Sequence, residues 1–313
     1  MDLELPEELR MLKKTVADFV DRELIPIEQT SMDGPVMRQD IREKLQAKAK
    51  DLGLWLLDTP VEYGGQGLGL LAMVVVWEEL ARTIAMPPRG PLVFGPDVRP
   101  ILFTLPEEQK QKYLLPVLRG EKFTAFAQSE PDAGADPGSM RTTAVRQGDH
   151  YIINGYKRWI TNAGRADFFQ LVAATDRAKG SRGGLSMFLV DADTPGVKVI
   201  RPVPTMMGDA PYEIAFDNVK IPVENLIGRE GDGMKAAQSW ITSGRLYQAC
   251  RGLGVAKRCL DMAASYSKQR VTFGSPLSDR QAIQFKIADS YMEHHMTQLM
   301  VYQLAARTEA GTA

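Results

Sequence analysis

The chain has 313 residues, 44% hydrophobic and 25% charged, with a formal net charge of −1, too long for one simple core and ordinary in composition for a globular protein. Lys and Arg form no block, which excludes the clustered basic face that nucleic-acid binding needs. No run approaches the roughly 20 apolar residues that span a bilayer, and the acidic opening MDLELPEELR carries neither a signal nor a transit pattern, so the expectation is a cytoplasmic protein with no membrane insertion, or a mitochondrial-matrix one whose transit peptide has been removed.

The first third has helical spacing. Leu9, Leu12, Val16, Phe19 and Leu24 share one face after Pro6-Glu7-Glu8 and predict a first helix. Met37, Ile41, Leu45, Ala49 and Leu52 predict a second, stopped by Gly53. The stretch Gly64-Gly65-Gln66-Gly67-Leu68-Gly69 has no βαβ unit around it, so it reads as a flexible loop rather than a dinucleotide fingerprint. A third helix carries Val76 and Leu80 and ends before Pro87-Pro88. Thr104-Leu105-Pro106-Glu107 has the spacing of a capping box and predicts a fourth helix with Tyr113, Leu114 and Leu118. Residues 1–122 are therefore expected to form a helical domain.

The period then shortens. Tyr151–Ile153, Phe168–Ala174, Leu185–Val190, Val197–Val203 and Tyr212–Phe216 read as strands, separated by turn formers at Gln147-Gly148-Asp149, Asn154-Gly155, Lys179–Gly184 and Thr194-Pro195-Gly196. Short strands at close spacing predict a middle β domain, a barrel or sandwich, over 123–228. Helical spacing returns from Asp232 to about Gln269. A turn at Thr272–Asp279 follows, then a second long helix from about Arg280 to Arg307 with Ile287, Tyr291, His295, Leu299 and Tyr302 on one stripe. Two such helices form an antiparallel hairpin, which cannot bury its apolar face alone. The C-terminal domain, 229–313, is thus expected to be half of a helical bundle that continues past Ala313. The fold class is α+β and multi-domain: helical, β, helical. Cys250 and Cys259 are expected to be buried free thiols. His294-His295 has no second ligand at metal spacing, so no metal is expected and helix packing or a solvated face is the reading.

Four segments remain: Phe126-Ala127-Gln128-Ser129-Glu130-Pro131-Asp132-Ala133-Gly134-Ala135-Asp136, Ile153–Gly164 with its Trp159-Ile160-Thr161, Arg270-Val271-Thr272-Phe273-Gly274, and Gln281-Ala282-Ile283-Gln284-Phe285. Singly, each has an ordinary reading: a turn, a strand aromatic, a partner for a helix C-terminus. In this order, in a helix–β–helix layout and with the junction Gly228-Arg229-Glu230-Gly231-Asp232-Gly233, they resemble the acyl-CoA dehydrogenase family over almost the whole chain.

The resemblance implies an FAD-dependent enzyme that dehydrogenates an acyl-CoA and hands electrons to an electron-transfer flavoprotein or similar carrier. It implies FAD contacts from Phe126, Gln128, Ser129, Gly134, Ala135, Trp159, Ile160, Thr161, Arg270, Phe273 and Gln281. Among these, Ser129 and its loop N–H groups would face the edge of the flavin where charge builds, Thr161 would face N5, Trp159 would wall the ring and Arg270 would suit the pyrophosphate. Phe273 and Gln281 match positions that reach the FAD of a neighbouring subunit, implying a homodimer or homotetramer. Ala135, Ile241, Thr242 and Arg245 are the implied substrate contacts. Two departures stand out. Ala135 replaces the family's usual Ser, and the catalytic base, a Glu in the family, is expected beyond Ala313, while its alternative position is Gly244. Glu213 and Glu230 match no catalytic position. Two rivals stay open: an FAD- or acyl-CoA-binding protein without turnover, and a flavin oxidase or monooxygenase on the same fold.

Overall fold

The computed structural model describes residues 4–87 and 92–312, apart from the side chain of Ser239; of the predicted features, Pro88 lies outside the described residues. Contacts group the chain into two compact units, Met1–Pro87 with Ser243–Ala313 and Pro88–Thr242.

In the first unit, helix α1 (Glu7–Phe19) starts with two acidic residues where the helix dipole favours them and buries Val16 and Phe19. It runs on through a π-type turn to Leu24 and a 3-10 turn to Ile27. Met37, expected in the next helix, instead pairs with Met32 in a small hairpin, β1 (Met32–Asp33) and β2 (Val36–Met37). The reason is turn chemistry: Gly34 sits at φ +57 and Pro35 follows it, a two-residue hairpin loop that ends helical continuity. Helix α2 (Gln39–Asp51) then stops at Gly53, φ +70. The glycine stretch 64–69 is a loop leading into the next helix, with no βαβ unit around it. It is folded back on Leu56–Pro60 by backbone bonds such as Gln66 N–H to Leu56 O (3.1 Å) and Gly67 N–H to Thr59 O (2.9 Å).

Helix α3 (Leu70–Leu80) is apolar around most of its circumference, and packing on both sides explains that. It lies against α1 and against α7 (Gln281–Glu309). Its first turn is capped from far along the chain, the Glu309 carboxylate accepting from Leu71 N–H (3.0 Å). Its buried Glu78 accepts from Lys13 Nζ (3.3 Å), Gln298 Nε2 (2.5 Å) and the Tyr302 hydroxyl. Burial and this carboxylate push the Tyr302 hydroxyl far up.

In the second unit the capping box does not form. Thr104 ends a 3-10 turn and its hydroxyl donates to Ile101 O (2.8 Å). Leu105, held extended by the proline after it, separates Thr104 from α4 (Glu107–Gln109), whose N-cap is Pro106. A π-type turn links α4 to α5 (Leu115–Leu118).

The β part is one eight-stranded sheet, built from β3 (Thr124–Ala127), β4 (Thr143–Gln147), β5 (His150–Ile160), β6 (Phe168–Ala174), β7 (Leu185–Asp191), β8 (Val197–Pro202), β9 (Tyr212–Pro222) and β10 (Leu226–Ile227). The order is β10-β7-β6-β4-β5-β9-β8, with β3 alongside β6. Pairing is antiparallel except that β3 and β4 run parallel to β6. The core centres on Tyr151, Ile153, Phe169, Leu171, Phe188 and Ile214. Asn154-Gly155 is not a turn: β5 passes straight through it with a register irregularity. A Cβ at Gly155 would fall 2.3 Å from Thr142 Oγ1 and 2.6 Å from its Cα, so the glycine serves a close approach inside the sheet.

Helix α6 (Gly233–Gln269) begins in the second unit and continues in the first. Within the first unit Leu246, Cys250 and Leu253 of α6 pack with Val74, Val301 and Ala305. Strands β11 (Val271–Thr272) and β12 (Ser275–Pro276) make the turn before α7. The predicted stripe on α7 is displaced: its buried residues are Val301 and Ala305, while Tyr291 and His295 are exposed and stack on each other. His294 contacts the Leu253 carbonyl at 3.2 Å through Nε2, a helix-packing role. Both cysteines are free; Cys250 is buried with its thiol pushed up to about 12, and Cys259, contrary to expectation, is exposed. No described helix is long and apolar enough to cross a membrane.

Candidate active site

The predicted residues divide between the two units. In the second, the loop after β3 and the end of β5 come together through the backbone, Arg158 N–H donating to Ser129 O at 2.9 Å. The loop closes on itself between Glu130 and Ala133, each donating its N–H to the other's carbonyl (3.0 and 3.3 Å). Asp136 accepts from Gly138 N–H at 2.9 Å, so its carboxylate caps the next turn. Gly134 and Ala135 are exposed at the surface of this loop.

Strand β5 aims its last residues by a bulge. Lys157 pairs with Ile214 and Ile160 with Tyr212, so Arg158 and Trp159 both stand opposite Glu213. Trp159 adopts φ +66, a strained conformation for a bulky residue, and 49% of its surface is exposed. The guanidinium of Arg158 lies 4.6 Å from the centre of its ring. Ile160 is buried and Thr161 half-buried. Phe126 packs against Trp240 (5.0 Å between rings), which also carries Arg99 over its face at 4.3 Å. Ile241, next in α6, is half-buried and Thr242 exposed.

These groups fit the flavin that the resemblance implies. Gln128 Oε1 is buried and has no hydrogen-bond partner among the described residues, a cost that a donor such as the N–H of a flavin's pyrimidine edge would relieve. The same loop is joined through Arg158 N–H to the bulge that carries the half-exposed Trp159 ring.

In the first unit, Arg270, Phe273 and Gln281 are all exposed. Thr272 and Ser275 pair across a two-residue turn whose Phe273 (φ +49) and Gly274 (φ +80) are both left-handed. Phe273 is 100% exposed at the tip. Arg280 Nη2 donates to Thr272 O (2.8 Å), which braces the turn. Arg245 is exposed, and the space around Gly244 is open, with nothing within 4 Å of a built Cβ.

Two residues escaped the reading of the sequence. Lys157 is fully buried, and all three of its donors are used: Gln128 O at 2.8 Å, Glu130 Oε1 at 2.9 Å and Met140 Sδ at 3.3 Å. Glu130 also accepts from Arg141 N–H (2.7 Å) and Thr142 N–H (3.0 Å). Burial alone would raise the Glu130 carboxyl, but Lys157, Thr142 and the Arg141 N–H outweigh it and hold it below the usual carboxylate range. Burial pulls the Lys157 ammonium down to about 8 against the opposing pull of Glu130. The signal was present in strand parity: Tyr151, Ile153 and Lys157 fall on the same, inward face of β5.

The other carboxylates near β5 are engaged. Glu213 binds Arg201 (2.7 Å) and Arg158 (2.9 Å), and hydrogen bonds from Arg201 and Tyr156 keep its carboxyl below the ordinary range. Glu230 accepts from the Tyr151 hydroxyl, which burial and that contact push up to about 12.

Comparison with known proteins gives three matches in chain order to models of one family: acyl-CoA dehydrogenase N-terminal domain over residues 6–121, middle domain over 125–219 and C-terminal domain over 231–313. The mitochondrial short-chain specific acyl-CoA dehydrogenase of Homo sapiens is 36% identical over 311 residues, which cover 97% of this chain and 73% of that relative. Butyryl-CoA dehydrogenase from Megasphaera elsdenii superposes with a TM-score of 0.84 at 31% identity, over 100% of this chain and 82% of the other. PigA with FAD and proline superposes with a TM-score of 0.88 at 27% identity, over the same shares of each chain.

Proposed function

We infer the activity from one premise: the chain belongs to the acyl-CoA dehydrogenase family, whose domain models match it from residue 6 to residue 313. It is a flavoprotein oxidoreductase with FAD as cofactor. We propose that it dehydrogenates an acyl-CoA thioester between its α and β carbons and passes the electrons to a carrier protein such as an electron-transfer flavoprotein. Domain boundaries near residues 122 and 228 belong to the same reading.

The bulge of β5 carries this reading, because it turns Trp159 out of the sheet next to Thr161 and the Ser129 loop. Bound FAD supplies the acceptor for the β-hydride. The chain's own groups then have separate tasks. Trp159 walls one face of the ring and keeps water from it. Gln128 and Ser129, on a loop already closed by its own hydrogen bonds, orient the pyrimidine edge. The Thr161 hydroxyl donates toward N5, while Arg270 holds phosphate and Phe273 and Gln281 reach a second subunit's cofactor. Ala135, Ile241, Thr242 and Arg245 contact the acyl-CoA. Because Ala135 has no hydroxyl, only its backbone is left to donate there.

Loss of the α-proton needs a carboxylate in a water-poor place. Glu213 is a poor acceptor, being ion-paired to two arginines, and Gly244 brings no carboxylate to the alternative position. We therefore assign the base to no residue of the site described above. The exposed apolar residues of α7 and the exposed Phe273 support assembly into a homodimer or homotetramer.

Anaerobic titration of the FAD-loaded protein with butyryl-CoA tests the reading. Bleaching of the flavin's visible absorbance is the expected result, and retained FAD with no bleaching by any acyl-CoA would leave a binding protein instead. Thr161→Val should keep the fold and slow that bleaching by about tenfold to a few hundredfold, the effect of one aligned donor. An unchanged rate removes Thr161 from the mechanism. Fast reoxidation of the reduced flavin by O₂ would favour an oxidase.

A further inference from the structure

The Lys157–Glu130 pair has no place in the chemistry above, yet it is the most completely buried ion pair among the described residues of the second unit, at 0% and 4% side-chain exposure. Such a pair is not retained for stability as a rule, since desolvation offsets most of its attraction. Its position is more telling than its strength. Lys157 Nζ holds the carbonyl of Gln128, and the N–H of the next residue, Arg158, holds the carbonyl of Ser129. Two consecutive peptide groups of the loop are thereby fixed by Lys157, the last regularly paired residue before the bulge, and Arg158, the first residue within it. Carbonyl and N–H point opposite ways in a trans peptide, so pinning the Gln128 carbonyl toward Lys157 aims the Ser129 N–H away from it. Glu130 completes the frame from the other side by accepting from Arg141 and Thr142 N–H. Two residues beyond Lys157, the same bulge presents Trp159.

We propose that the buried Lys157–Glu130 pair is a positioning device that locks the Gln128–Glu130 loop to the β5 bulge, so that the loop and Trp159 are set in one geometry before the flavin binds. The proposal rests on the reading of this region as the FAD site. Neither residue touches the cofactor in this account; both act through Gln128, Ser129 and Trp159.

The test is FAD binding to the apoprotein, followed by quenching of flavin fluorescence, in wild type and in Glu130→Gln/Lys157→Met. Met fills the volume of the lysine, and the amide oxygen keeps an acceptor for one of the two N–H groups that Glu130 holds through separate oxygens, so the apoprotein should melt below wild type but still cooperatively. The FAD Kd should rise at least tenfold, and the visible bands of the bound flavin should shift. A wild-type Kd with an unshifted spectrum in a folded double variant would overturn the proposal while leaving the cofactor reading intact. Failure of the wild-type apoprotein to bind FAD would overturn both.

If the double variant does not fold, the wild type decides. The ammonium of Lys157 is faced by the Glu130 carboxylate, the Gln128 carbonyl and the Met140 sulfur, and burial pulls its pKa down, to about 8. The FAD Kd should therefore rise between pH 7 and 9. The sign separates this from unfolding. The folded-state pKa lies below the ordinary value of 10.5, so the folded state gives up this proton first. The lysine's own contribution to stability then becomes more favourable as pH climbs through 8. A flat Kd over that range would overturn the proposal.

Discussion

Strand β6 and helix α7 treat their apolar residues in opposite ways. All seven residues of β6 are buried, and even its one polar member, Gln170, is satisfied by donating to Thr124 Oγ1 (3.2 Å). In α7, 29 residues long, Val301 and Ala305 are the buried ones, while Phe285, Tyr291, Met292, Met296, Met300 and Leu304 stand exposed. A strand flanked by neighbours on both edges and covered on both faces finds its partners inside its own unit. The helix has partners on one side, and the rest of its apolar surface is left uncovered by the described residues. An exposed apolar row of this extent is surface left for a contact outside the described residues. Burial therefore separates residues that the described fold covers from residues that it leaves uncovered.

The largest expected effect tests that separation directly. Phe169→Ala, at the centre of the sheet core, should cost about 3–5 kcal/mol of unfolding free energy because it leaves a cavity among Phe216 and its neighbours. Phe285→Ala, at 62% exposure, should stay within about 0.5 kcal/mol. Both values come from urea unfolding of the variants side by side. Equal losses would mean that α7 belongs to the folding core after all. Association measured by sedimentation should respond in the reverse order.

The same contrast explains what was legible in the sequence. The bounds of β6 were read off without error, and those of β7, α6 and α7 within a residue or two, because apolar runs and helical periods announce themselves. Strand β4 was missed: its Val145, Arg146 and Gln147 are exposed, and alternation is weak. Asn154-Gly155 was misread because the same dipeptide serves a hairpin turn and a close approach within a strand. The stripe on α7 was misplaced for a different reason. Helical spacing tells which residues share a face, but with Tyr, Met and Leu on every side it does not tell which face is covered. Around the site, residue types were readable and their geometry was not. A one-residue bulge decides that Trp159 turns outward, and no period encodes a bulge.

A smaller effect probes the exposed side of the comparison. Arg270 is exposed, and among the described residues only its backbone is hydrogen-bonded, the N–H donating to Tyr266 O (2.9 Å) and the carbonyl accepting from Leu277 N–H (2.8 Å). Arg270→Ala should thus leave the melting temperature unchanged and weaken FAD binding by about 1–3 kcal/mol, one charge-assisted phosphate contact. Arg280→Ala is the control, because Arg280 braces the β11–β12 turn through Thr272 O; it should loosen the turn without removing a phosphate partner. Undiminished FAD occupancy of Arg270→Ala after extensive dialysis would take Arg270 out of the site.

Phe273 offers the smallest and most discriminating change. It stands at φ +49 in the first central position of its turn, where Asn and Gly are favoured and a bulky side chain is strained. Its ring, fully exposed, gains nothing from burial within this chain. Phe273→Asn should therefore stabilise the protein by about 1 kcal/mol, most of the cost of holding an ordinary residue in the left-handed region. If the ring were there by accident, nothing else would change. If it reaches a second subunit's cofactor, the stabilised variant should hold FAD less tightly and dissociate more readily on dilution. Stability rising while cofactor retention falls is the result expected of a residue kept for contact. Stability and retention moving together would place Phe273 with β6, as part of the fold.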